Sequence, residues 1–257
     1  MAEGETTALR SVRASFVFLT RLPVGGFPFS SEDFRWAAAH APLVGLIVGA
    51  IGAGLFHLLQ PLGALAAAAL AVGASLLVTG AFHEDGLADT ADALGGGYTR
   101  ERVLEILKDS RIGSFGAAAI GFSLIARTTL IARLEPDALW ALPLGFAAAR
   151  LGPIWQMALL PYVTQDAQSK SRDVSRGGTP QALVATAWLL VFTGAAHGLG
   201  LISWQRIAGL ASALAVVTLL TAWRYQRRVG GITGDFLGAT EQLGEVAALA
   251  VLAWHAA

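Results

Sequence analysis

The sequence contains no cysteine. That excludes disulfides and thiolate metal sites, and it fits an active surface facing a reducing compartment. Charge is also scarce: Asp, Glu, Lys and Arg make up 14% of the 257 residues, where an ordinary soluble domain has about a quarter. With 54% hydrophobic residues and a mean hydropathy of +0.58, the composition points to a membrane protein. Acidic and basic residues both number 18, so net charge says nothing about nucleic acid or acidic partners; no nucleic acid is expected as a partner. No low-complexity tail or separate soluble domain stands out.

What is present is a series of apolar runs. Those of about 20 residues, long enough to cross a bilayer, cover roughly 37–59, 62–82, 114–134, 138–160, 181–202, 206–223 and 236–255. The expectation is an all-α, polytopic membrane helical bundle with about seven transmembrane helices, forming a single integral-membrane domain over 1–257. Segment 1–36 is expected to be interfacial. There Leu9, Val12, Phe16 and Leu19 recur at helical spacing beside Arg10 and Arg13, the pattern of a helix lying on the lipid surface. Gly45, Gly49 and Ala53 form a small-residue stripe that predicts a tight helix contact, within one chain or between two, so a homo-oligomer stays open. Pro42 and Pro153 are expected to kink their spans.

Alternate loops are either long and basic or short and nearly uncharged. Fourteen of the 18 basic residues fall in the N-terminus and in the loops near 100–111, 170–176 and 224–228. The positive-inside rule places these segments and the N-terminus in the cytoplasm.

The polar residues then define the candidate chemistry. Asp85, Asp89 and Asp92 lie at i, i+4 and i+7, on one face of a helix. Hard oxygen donors without cysteine favour magnesium or manganese over zinc, and magnesium completes its shell with water and phosphate oxygens. Segment 83–113 is therefore expected to be the cytoplasmic active-site segment for a phosphate-bearing substrate. Lys108 and Arg111 are expected to face the same way on a helix ending at Gly113 and to hold phosphate, with Asp109 completing the metal site or orienting Arg111. Arg176, Gly177 and Gly178 can offer cation and backbone amides to an anion. Asp235 lies at the mouth of the final span. Glu241 and Glu245 lie within it, where they are expected to pair with Arg127 or Arg150 or to touch substrate. His83, directly before the acidic run, and Glu84 beside it are further candidate substrate contacts.

The segments HEDGLADTADALGGG (83–97) and LKDSRIGSFGA (107–117) resemble the signature of the cobalamin synthase family, the adenosylcobinamide-GDP ribazoletransferases. The likeness extends to FLTRLPV (18–24), PLVGLIVGAI (42–51) and GGITGDFLGATEQLGE (230–245), and so touches most of the chain. The chain departs from the family at Phe236, where small or hydroxylated residues are usual, and Glu84 falls at a variable position.

The resemblance implies a bacterial inner-membrane enzyme that requires Mg2+. It would join adenosylcobinamide-GDP to alpha-ribazole or its 5'-phosphate, releasing GMP. Asp85, Asp89 and Asp92 would then bind metal, Lys108 and Arg111 would stabilise the departing GMP, and Asp235 would accept a proton or bind metal. Other readings of the residues stay open: another aspartate-rich intramembrane transferase, of the CDP-alcohol phosphotransferase or prenyltransferase type, or an ion transporter using acids in its spans.

Overall fold

A computed structural model of the protein describes residues 7–163 and 177–254. Arg176 lies outside the described residues. The helices in chain order are α1 (Thr7–Leu19), α2 (Ser31–Ala37), α3 (Ala41–Leu58), α4 (Ala64–Thr79), α5 (Phe82–Gly96), α6 (Arg100–Ile106), α7 (Ser114–Ala132), α8 (Ala138–Ala149), α9 (Leu151–Leu159), α10 (Thr179–Gly198), α11 (Trp204–Val229) and α12 (Gly234–Leu252). Among the described residues the only extended pairing is an isolated bridge between Tyr162 and Ile232, so the all-α expectation holds.

Four segments are long and apolar enough to cross a membrane: Ser31–Leu58, Ser114–Ala132, Thr179–Gly198 and Trp204–Val229. A fifth arises only if α4 and α5, bent by 92°, count as one broken span. That is fewer than the seven runs expected, for physical reasons. The 138–160 run breaks at Arg150 into α8 and α9, because Pro153 has no N–H to offer the carbonyl of Ala149. The 236–255 run is helical as α12, but Asp235, Glu241 and Glu245 dilute its hydropathy. Pro42 does not kink α3. It occupies the first turn, where its missing N–H leaves nothing unpaired.

The small-residue stripe packs within the chain. A Cβ on Gly45 would stand 2.5 Å from the Phe146 carbonyl oxygen, and one on Gly49 would stand 2.6 Å from that of Leu142. These glycines let α3 and α8 approach to backbone contact. At the N-terminus, α1 turns its small face inward: Ser11, Ala14 and Ser15 are buried while Leu9 is exposed. Arg10 ties α1 to α2 by an ion pair with Asp33 at 2.9 Å.

The turn between α4 and α5 places the polar helix. Gly80 (φ 69°) and Ala81 (φ 56°) are both left-handed, and two such residues in a row redirect the chain sharply. The acidic helix α5 thus lies across the direction of α4, outside the four segments that are long and apolar enough to cross a membrane, and packs along α12.

Candidate active site

Glycine again sets the key contact. A Cβ on Gly86 of α5 would meet the Asp235 carbonyl oxygen at 2.8 Å and the Gly238 Cα at 3.2 Å. The two backbones touch there, which brings Asp85 and Asp89 beside Asp235 in the first turn of α12. Thr233 caps that turn by accepting from the Phe236 amide at 3.3 Å.

Asp85 is exposed, while Asp89 and Asp235 are half-buried. Burial, followed by the charges of Asp85, Asp235 and Asp92, pushes the Asp89 carboxyl up to about 6. Among the described residues no ion pair joins Asp85, Asp89 or Asp235 to a cation. Nor is any group of three His, Asp or Glu side chains there gathered closely enough to hold a metal as it stands. Crowded carboxylates lacking a counter-charge nonetheless suit a hard divalent cation in donor type and in charge.

Asp92, expected as a third ligand, is engaged elsewhere. Its carboxylate accepts from the Gly113 amide at 2.6 Å and the Gly116 amide at 2.9 Å. It therefore satisfies amides at the start of α7 that no intrahelical carbonyl reaches. A Cβ on either glycine would lie 2.4 Å from an Asp92 oxygen.

Glu84 also departs from expectation. It is buried and bonds Arg127 at 2.7 Å rather than facing the acidic cluster. The helix expected to end at Gly113 stops at Ile106, and Lys108 to Gly113 form a loop. Asp109 and Ser110 are weak helix formers, and Asp109 instead pairs with Arg111 at 2.6 Å. The Arg111 side chain, with its bonds from Nε and Nη2, holds the exposed Asp109 carboxyl down to about 2. Lys108 is exposed on the same loop. Gly178 donates its amide to Gln181 at 2.9 Å, closing the first turn of α10, so that donor is occupied; Gly177 is buried.

The in-span charges pair as expected and form one buried cluster. Arg150 reaches Glu241 at 2.9 Å and Glu245 at 3.0 Å, and Arg127 reaches Glu245 at 3.3 Å. His83 stands 3.6 Å from Glu241. Gln242 and Ser123, which sequence reasoning did not single out, complete it: Arg127 and Ser123 donate to the Gln242 oxygen at 2.7 and 2.9 Å. Phe236, the departure from the family pattern, is buried and stacked on Tyr225 with ring centroids 4.1 Å apart.

Fold and site together define an all-α membrane protein with an acidic helix laid against the mouth of its last helix. The chain belongs to the cobalamin-5-phosphate synthase family, whose sequence profile matches residues 11–253. It is 40% identical over 262 residues to an adenosylcobinamide-GDP ribazoletransferase of a Polaromonas species, covering 90% of this chain and 91% of that one. It is similarly 37% identical to the enzyme of that name from Leptothrix cholodnii, covering 93% and 92%. With the Vibrio cholerae enzyme it shares 39% identity, covering 89% and 87%. These relatives are transferases of cobalamin biosynthesis, and the chain is a transferase of that family. No solved structure matches it.

Proposed function

We propose that this chain transfers adenosylcobinamide phosphate from adenosylcobinamide-GDP to alpha-ribazole, or to its 5'-phosphate, with release of GMP. The observation that carries the reading is the meeting of Asp85 and Asp89 with Asp235 across the Gly86–Gly238 contact. Magnesium, held by Asp85 and Asp89 with Asp235 at its side, would draw charge from the pyrophosphate oxygens.

The chain's own residues do the rest. Lys108 offers a mobile ammonium to the departing nucleotide, and Asp109 fixes the Arg111 guanidinium through an ion pair of 2.6 Å. Asp235, beside Asp85 and Asp89, would take the proton of the acceptor hydroxyl. The buried Arg127 and Arg150 cluster anchors α5, α7 and α12 and so holds the acids in place. By the positive-inside rule the basic loops support a cytoplasmic orientation of this face, with the N-terminus on the same side of the bacterial inner membrane. The corrinoid, too large for the bundle interior, would lie at the surface of this single integral-membrane domain.

Purified protein in detergent should release GMP from adenosylcobinamide-GDP only when magnesium and alpha-ribazole are both supplied. Release that ignores the acceptor would refute the reading, and turnover of CDP-activated alcohols or prenyl diphosphates instead would move the chain to the rival transferase classes.

A further inference from the structure

We infer that an apolar cavity beside the acidic cluster is the subsite for the uncharged heteroaromatic base of the nucleoside acceptor, with Ser15 as its polar contact. The inference rests on the transferase reading above and deepens it. The cavity holds ≈ 90 Å³ of free space between α1, the α2–α3 junction, α5, α9 and α12. Phe18 and Phe82 stand edge-to-face in its wall, ring centroids 5.4 Å apart, and Met157 and Tyr162 complete an aromatic and polarisable lining. Such walls suit a flat ring.

The polar groups in the lining narrow the choice. The Ser15 hydroxyl is 0% exposed and has no hydrogen-bond partner, although it lines the cavity. A buried hydroxyl left unpaired is destabilising, so it needs an explanation. The nitrogen acceptor of a heteroaromatic ring would satisfy it. Arg150, Glu241 and His83 also line the cavity, but they are engaged with one another: Arg150 pairs with Glu241 at 2.9 Å and with Glu245 at 3.0 Å, and His83 stands 3.6 Å from Glu241. A phosphate would therefore find no free positive charge there. A lipid acyl chain would leave Ser15 unsatisfied, and a corrin ring exceeds the space.

Position supplies the link to chemistry. Gly234 and Gly238 form part of the wall, and Asp235 lies between them in the chain. A base seated in the cavity would leave its sugar to emerge beside Asp235, where the acceptor hydroxyl has to be.

The test is steady-state kinetics on wild type, Ser15→Ala and Ala38→Leu, varying alpha-ribazole and adenosylcobinamide-GDP separately. Ala38 is buried in the cavity wall, so leucine there fills the space. The KM for alpha-ribazole should rise at least roughly 10-fold in Ala38→Leu and about 5-fold in Ser15→Ala, that for adenosylcobinamide-GDP staying within about 2-fold. An acceptor carrying a smaller imidazole base should recover most of the loss in Ala38→Leu. As a readout independent of turnover, free benzimidazole should raise the unfolding temperature of wild type and not of Ala38→Leu. If Ala38→Leu fails to fold, Ser15→Ala alone decides. Active wild type with unmoved acceptor KM in the variants, or with both KM values rising together, would overturn the subsite. Wild type without acceptor-dependent GMP release would overturn the transferase reading instead, and the benzimidazole shift would still judge the cavity.

Discussion

The Asp92 carboxylate accepts a hydrogen bond of 2.6 Å from the backbone amide of Gly113, so the acidic helix α5 caps the membrane helix that follows it. The other oxygen takes the Gly116 amide. Losing this cap should cost about 1–3 kcal/mol. Asp92→Ala is therefore expected to lower the unfolding temperature in detergent, and Gly116→Ala should do the same by driving a Cβ against the carboxylate. An Asp92→Ala protein as stable as wild type yet inactive would make Asp92 a metal ligand after all.

Gly86→Ala tests the contact that gathers the acids. Its Cβ would stand 2.8 Å from the Asp235 carbonyl oxygen, so α5 and α12 must part. A displacement near 1 Å in an active site lowers rate by about 100-fold. The expected result is loss of GMP release on that order while the protein still inserts and purifies. Unchanged turnover would mean that the α5–α12 spacing does not matter to the reaction.

The buried ions make a separate prediction about stability. Arg127 is 0% exposed and serves both Glu84 and Glu245. Replacing it by Met strands the buried Glu84 carboxylate and leaves Glu245 with Arg150 alone, an effect of about 3–5 kcal/mol. Glu84→Gln keeps shape and a hydrogen bond to Arg127, so that variant should fold and keep most of its turnover. Abolished activity in a well-folded Glu84→Gln protein would return Glu84 to the substrate site.

Much of this was legible in the sequence, and the parts that were not share a cause. The Gly45 and Gly49 stripe and the pairing of Glu241 and Glu245 with arginines follow from small residues at helical spacing and charges inside apolar runs. Local periodicity carries both. The Asp92 cap joins residues 21 and 24 positions apart, and Glu84 turns inward although its neighbour Asp85 turns out. Such choices depend on how α5 leaves the Gly80–Ala81 turn, which no periodicity encodes. The unpaired Ser15 hydroxyl was invisible for the same reason, because the side of α1 that meets the rest of the chain depends on tertiary packing.

Magnesium should bind independently of turnover. Saturating a site to about 100 times its dissociation constant stabilises the folded state by about 2.7 kcal/mol. Magnesium is expected to raise the unfolding temperature of wild type, chelator should reverse the gain, and Asp235→Asn should shrink it. A shift of wild-type size in an Asp85→Asn, Asp89→Asn double variant would place the metal elsewhere.

The central claim is that Asp85 and Asp89 hold the metal face of a transferase site. It is tested most directly by acceptor-dependent GMP release from adenosylcobinamide-GDP, measured on wild type, Asp85→Ala and Asp89→Ala at matched folded concentration. The account predicts robust release by wild type and none above background by either variant, although both insert and unfold cooperatively. Wild-type rates in both variants would contradict it.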